Sequence, residues 1–192
     1  MTVDINQPIP NSYLSIKKAT EKNGFTMASD ILTCSLLRAL AASKPAGKFL
    51  ELGTGTGLST SWILDGMDSN STITSFDNDE TCLKIARTFL GHDKRLNLIC
   101  AEGDSWVENN KGNKFDYIFA DTWHGKYLLL EEVLEMLSAG GLYIVDDMIP
   151  QPNWPEGHQE KANNFVTNLE HRKDVVVVKQ SWATGIIIAV KR

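Results

Sequence analysis

Apolar residues recur at helical spacing in some stretches of the chain and in short unbroken runs in others, and the two patterns alternate. Between residues 29 and 42, Ile31, Leu32, Leu36, Leu37 and Leu40 share one face of a predicted helix that stops before Lys44-Pro45-Ala46-Gly47. Residues 48–52 read as a strand, 59–64 as the first turns of a helix, and the β-branched and aromatic run 72–76 as a second strand. A helix over 79–90 has Asp79 in the N-cap position, and strands follow at 96–100 and 115–120. Residues 126–137 place Leu129, Val133, Leu134 and Leu137 on one helical face, closed by Ala139-Gly140-Gly141. After a strand at 142–145 and a helix at 161–171, the apolar runs 175–178 and 185–190 are joined closely enough for a hairpin.

Strands separated by helices of this length predict an α/β fold, a doubly wound Rossmann-like sheet with right-handed crossovers. The sheet is expected to be mostly parallel and to finish in a C-terminal antiparallel pair. A length of 192 residues fits a single domain over 1–192, with 1–26 as an N-terminal extension.

Charge and composition narrow the function. A formal net charge of −5 with mixed signs offers no basic stripe, which excludes nucleic-acid binding as the main activity and points to a small-molecule partner. Residues 1–10 are polar with two prolines and lack the apolar core of a signal peptide. The longest apolar runs are too short to span a bilayer, so a cytoplasmic protein with no membrane partner is expected. Cys34, Cys82 and Cys100 are far apart within apolar stretches and read as buried, reduced thiols.

The run Glu51-Leu52-Gly53-Thr54-Gly55-Thr56-Gly57 joins the first strand to a Ser/Thr-rich helix start. Glycines at alternate positions allow a tight turn and close approach of backbone to a ligand. A dinucleotide loop requires Gly-x-Gly-x-x-Gly, and here Leu58 stands where the last glycine belongs. Together with Glu51, the pattern resembles the S-adenosylmethionine-dependent methyltransferases of Rossmann-like fold. That resemblance implies a cofactor site built from Glu51, Gly53, Thr54, Gly55 and Gly57, with Asp77 at the end of the second strand accepting from the ribose hydroxyls. It implies further that the segment after the third strand, Ala101-Glu102-Gly103-Asp104-Ser105-Trp106, lies against the adenine. Gly103 would allow the approach, Asp104 or the Ser105 backbone would meet the amine, and Trp106 lies either beside the ring or half-buried in the core.

The stretch Asp121-Thr122-Trp123-His124-Gly125-Lys126-Tyr127, with Asp146-Asp147 after the fifth strand, resembles the catechol and caffeoyl-CoA O-methyltransferases. The resemblance implies that Asp121 lies near the cofactor's amino end and that Asp121, Asp146 and Asp147 hold a divalent metal such as Mg²⁺. The family's Asn stands as Asp147 here. Independently of any family, carboxylates crowded at neighbouring strand ends raise one another's pKa, a tension a hard cation relieves. A metal-bound substrate hydroxyl would be deprotonated and aligned for methyl transfer, with His124 or Lys126 as base. Trp154, in the proline-rich segment 150–157, and Trp182 are either packing residues or flat walls for an aromatic substrate. Most of the family's extra N-terminal helices are missing, which implies a more open site or a different homodimer.

The expected activity is therefore S-adenosylmethionine-dependent, metal-assisted O-methylation of a small hydroxylated molecule. Two alternatives stay open: a metal-independent methyltransferase acting on nitrogen or another acceptor, or an aminopropyl-transferring relative; and a non-catalytic cofactor-binding module. A dinucleotide enzyme is opposed by Leu58.

Overall fold

A computed structural model describes residues 8–151 and 154–192. The expectation for residues 1–7, and the Pro152-Asn153 part of the proline-rich rim, lie outside these described residues. Strands β1 (Lys48–Leu52), β2 (Thr72–Asp77), β3 (Leu96–Cys100), β4 (Phe115–Ala120), β5 (Leu137–Val145), β6 (Val175–Gln180) and β7 (Ile186–Lys191) make one sheet in the order β3-β2-β1-β4-β5-β7-β6. The first five strands run parallel, while β7 pairs antiparallel with both β5 and β6. Both the doubly wound class and the antiparallel finish are as the pattern predicts.

Alternation along the strands feeds two cores. Phe49, Ile73, Tyr117 and Ile144 point to one face, where they meet Ile16 of α1 (Tyr13–Asn23), Leu37 of α2 (Ile31–Ala42) and Trp62 of α3 (Leu58–Gly66). Leu90 of α4 (Glu80–Leu90) reaches the same layer. Leu50, Leu52, Ile118 and Tyr143 point the other way, onto α5 (Gly103–Asn110), α6 (Leu130–Glu135) and α7 (His158–His171). The chain is thus an α/β/α sandwich, and among the described residues no helix is long and apolar enough to cross a membrane.

Several boundaries differ from expectation for local reasons. Helix α1 was not predicted; Tyr13, Ile16 and Thr20 are its buried stripe, and Gly24 at φ +80° ends it. Asp30 caps α2 through Leu32 N–H, and Asp79 caps α4 as its position suggests. The helix expected over 126–137 is reduced to α6, because Gly125 (φ +83°) and Leu129 (φ +55°) bend residues 122–129 into a knot in which Trp123 carbonyl accepts from Lys126, Tyr127 and Leu128. Ala139-Gly140-Gly141 does not close that helix. Phe115 pairs with Leu137 and Tyr117 with Leu142, so these residues form a bulge within β5. Cys34 and Cys82 are buried, but Cys100, the last residue of the edge strand β3, is exposed.

One core residue is an acid. Glu51 on β1 is fully buried between the sheet and α3, where its carboxylate accepts from Ser59 (2.7 Å), Thr60 (2.5 Å) and Ser75 (2.5 Å). These hydroxyls favour the charged form, but burial outweighs them and pushes the carboxyl from 4.5 up to about 7. The folded protein therefore holds this proton to higher pH than the unfolded chain does. The stability it confers is present below about 4.5 and is lost as pH rises toward about 7. Glu51→Gln should remove this slope, which amounts to about 3 kcal/mol across the window. Urea denaturation of both proteins near pH 5 and near pH 7.5 measures the difference.

Candidate functional site

The chain leaves β1 toward α3 and leaves β4 toward the opposite face, and the gap between the two exits is the expected place for a ligand in such a sheet. A cavity of about 680 Å³ lies there. Its floor is the glycine loop. Gly53 has φ +101°, and a Cβ on it would come within 2.5 Å of Thr122 Cγ2, so only glycine lets the two exits touch. Gly53 and Thr54 N–H both donate to the Phe76 carbonyl, which pins the loop to β2. Gly55 faces the cavity under Phe25, whereas Gly57 packs on Ala86 and Leu90 of α4, outside the cavity wall.

Asp77 lies in the wall at the end of β2. Its Oδ2 accepts from Gly55 N–H (2.8 Å) and its Oδ1 from Asp79 N–H (2.9 Å). A carboxylate has about four acceptor sites, so capacity for further donors remains. Glu51 does not reach the cavity; its oxygens are sealed beneath the loop by the three hydroxyls already described.

The segment after β3 also departs from expectation. Gly103, Asp104 and Ser105 open α5 and do not form part of the cavity wall. Trp106 stacks on Phe76 at 4.6 Å in the core instead of offering a face to a ligand. The His124 ring lies against Gly103, where a Cβ would be 2.4 Å from Cγ, and its Nε2 faces Asp104 Oδ1 at 3.0 Å. His124 is thereby turned from the cavity, contrary to the expectation of a base there.

At the ends of β4 and β5 the three predicted acids part company. Asp121 and Asp147 line the cavity, while Asp146 is buried beside it and accepts from Thr184 Oγ1 and from Asp147 N–H. Into this group the knot of residues 122–129, anchored by a hydrogen bond from Tyr143 hydroxyl to Gly125 carbonyl, sends Lys126. Lys126 Nζ lies 3.6 Å from Asp121 Oδ1 and donates to Asp146 carbonyl at 2.9 Å. Burial raises the Asp121 carboxyl; Asp146 and Asp147 push it the same way, and Lys126 and the Ser29 hydroxyl oppose. An ammonium thus supplies the positive charge for which a divalent ion was expected. The donor set does not fit a metal: among the described residues no group of three or more His, Cys, Asp or Glu side chains is arranged to hold one.

Comparison with known proteins settles the family. A model described as a methyltransferase domain matches residues 50–148, just over half of the chain and the whole of the cavity floor from β1 to the end of β5. The chain belongs to the methyltransferase-domain family. No curated protein matches it significantly by sequence. In structure, this methyltransferase domain is similar to the O-methyltransferase of Bacillus cereus in complex with SAH, at 17% identity and TM-score 0.86, covering 98% of this chain and 94% of that one. It is also similar to the SAH-bound methyltransferase PaMTH1 of Podospora anserina (19% identity, TM-score 0.82, 97% and 90% covered). A third such structure is the SAM-bound O-methyltransferase TomG of Streptomyces achromogenes (17% identity, TM-score 0.82, 98% and 92% covered). At such identities the likeness speaks for the fold.

The rest of the methyltransferase domain's cavity joins residues of the Asp121–Tyr127 motif and Trp154 to others that carry no motif. Residues 25–30 form a strap across the glycine loop, with Phe25 over Gly55 and Ser29 Oγ donating to Asp121 Oδ2 at 3.0 Å. The far wall is aromatic: Trp123, Tyr127 and His158 meet edge to face, and Trp154 lies on His158 at 4.2 Å. Trp154 thus does line the cavity, while Trp182 packs against the sheet core. The strap carries no motif, and His158 precedes the predicted start of its helix. Only the fold shows that they converge.

Removing the Lys126 ammonium leaves the half-buried Asp121 carboxylate without its cation. Lys126→Met should therefore cost about 3 kcal/mol of stability, and adding Asp121→Asn to it should recover much of that loss. Urea titration of the two single variants and the double variant tests the coupling.

Proposed function

We propose that this methyltransferase domain transfers a methyl group from S-adenosylmethionine to a hydroxyl of a small, flat acceptor. The observation that carries the reading is that the Gly53–Thr56 loop, Asp77 and the Asp121–Lys126 pair all open onto one cavity. That structural neighbours bind SAH or SAM supports the choice of cofactor. Asp77 holds acceptor capacity for the ribose hydroxyls, and Gly53, Thr54 and Gly55 set the floor on which the methionine part rests. Glu51, Gly57, Gly103, Asp104 and Ser105 act on the site only through the packing and loop shape they fix. Asp121, kept partly compensated by Lys126, faces the cofactor's ammonium end.

The bound cofactor supplies a methyl group on a sulfonium, which an oxygen nucleophile displaces in line. Lys126 lines the cavity and offers a fixed positive charge to the acceptor oxygen as its proton leaves. Trp123, Tyr127 and Trp154 offer flat walls, which favours an aromatic acceptor. Asp30, Asp77, Asp79, Asp121 and Asp147 line the cavity, and among the described lining residues Lys126, paired with Asp121, is the one Lys or Arg. Acidic side chains thus dominate the described lining, so uncharged or cationic acceptors suit the site better than anionic ones.

Two outcomes follow. Calorimetric titration should show S-adenosylmethionine binding that weakens about tenfold in Asp77→Ala, the loss of roughly one charge-assisted hydrogen bond. S-adenosylhomocysteine release on a panel of catechols and hydroxylated amines should be unchanged by EDTA or added Mg²⁺. Failure of wild type to bind the cofactor sinks the reading as a whole, and a requirement for metal sinks the role given to Lys126.

A further inference from the structure

Given methyl transfer to a hydroxyl, the acceptor's proton needs a destination, and neither His124 nor Lys126 provides one. His124 is turned against Gly103 and Asp104, and Lys126 carries a proton already committed to Asp121 and the Asp146 carbonyl. The same cavity holds a pair of which the motif marks only one member. Tyr127 hydroxyl and His158 Nε2 are 3.2 Å apart, and both residues line the cavity. They come from distant parts of the chain: Tyr127 from the knot after β4, and His158 from the first position of α7.

From this geometry we infer that Tyr127 and His158 form a two-step proton path that serves as the general base of the reaction, an inference that rests on the methyl-transfer reading. The acceptor's O–H proton passes to Tyr127 Oη as the Tyr127 proton passes to His158 Nε2. The acceptor oxygen forms the new C–O bond, and the C–S bond breaks with its electron pair remaining on sulfur. The products are the methyl ether, the thioether form of the cofactor and an imidazolium, which returns its proton to solvent.

Three features suit the pair to this task. Burial, reinforced by Asp147, raises the Tyr127 phenol to about 12, so Tyr127 keeps its own proton until another replaces it. His158 is held below the ordinary imidazole value, first by burial and then by the ammonium groups of Lys126 and Lys161, with Asp147 pulling the other way. A neutral imidazole at neutral pH is the form that can accept. Its ring is also fixed: Tyr127 meets it edge to face at 5.4 Å, Trp123 at 6.0 Å, and Trp154 covers it. The far nitrogen, Nδ1, is buried without a partner among the described residues, which leaves Nε2 as the one nitrogen with a route to the cavity.

The path requires one tautomer, with the proton on Nδ1 and the lone pair on Nε2 facing Tyr127. Long-range ¹H–¹⁵N spectra of the full chain at about pH 7.5 should show His158 neutral and unprotonated at Nε2. A protonated Nε2, or an imidazolium at that pH, overturns the inference without any acceptor being known. With an acceptor from the panel, His158→Gln and Tyr127→Phe should each lower kcat about a hundredfold, change KM less than threefold and leave S-adenosylhomocysteine affinity intact. The double variant should be no slower than either single one, because the two groups act as a unit. Unchanged kcat, or losses that multiply in the double variant, overturn the proton path. If wild type binds no S-adenosylhomocysteine, the methyl-transfer reading fails, and with it the reaction this path would serve. Intact cofactor binding with the wrong tautomer defeats the path alone.

Discussion

Strand β1 has β2 on one side and β4 on the other, so the segments that leave these strands must part to opposite faces of the sheet. No side chain fills the seam at once, because the diverging backbones take their helices with them. The seam survives as a cavity only if the two exits still touch at its base, and they do so at Gly53 and Thr122. The loop, Asp77, the Asp121–Lys126 pair and the knot that delivers Lys126 all descend from that parting of the chain. Rossmann-like architecture thus provides the place before any residue provides the chemistry.

Two acids near this seam, Glu51 and Asp121, are stabilised differently, and their surroundings decide their roles. Glu51 stands opposite Phe119 in the parallel register, within the sheet and beneath α3. Three hydroxyls satisfy it there, leaving nothing for a ligand. Asp121 lies two places beyond Phe119, past the last paired residue of β4, where one Ser hydroxyl and one ammonium meet it and the cavity remains open on its other side. A displacement of two residues along neighbouring strands converts a structural carboxylate into an accessible one.

The sequence pattern locates the strands well because their apolar runs are short and bounded, and it finds α4 because Asp79 caps it. It overlooks α1, whose buried stripe is only Tyr13, Ile16 and Thr20 among charged neighbours, too thin to stand out by periodicity. In the site, the glycine loop and Asp77 are legible since their spacing is imposed by the turn itself. The directions of Trp106 and His124 are not, because each is set by a partner remote in sequence: Phe76 for the indole, and Gly103 with Asp104 for the imidazole. The acids after β4 and β5 are recognisable as a group, yet their local sequence does not disclose that Lys126 turns inward among them. That turn depends on Gly125 and Leu129 at positive φ and on the Tyr143 hydroxyl holding the knot from another strand.

The presence of an ammonium where a divalent ion was expected changes what the rest of the cavity must supply. A metal bound directly to the acceptor oxygen would lower its pKa sharply and orient it in the same step. An ammonium carries half that charge and cannot fix an angle by coordination, so acidity and alignment have to come from separate groups. Within the proposed reaction, alignment falls to the aromatic wall and to the strap that Ser29 ties to Asp121. A ring held between flat surfaces loses the freedom that would otherwise dilute productive approaches, a contribution that can reach several kcal/mol. Acidity falls to Lys126 acting jointly with a separate proton acceptor. The knot after β4 serves both needs, since its adjacent residues Lys126 and Tyr127 bring the fixed charge and, through His158, the proposed proton acceptor into one cavity.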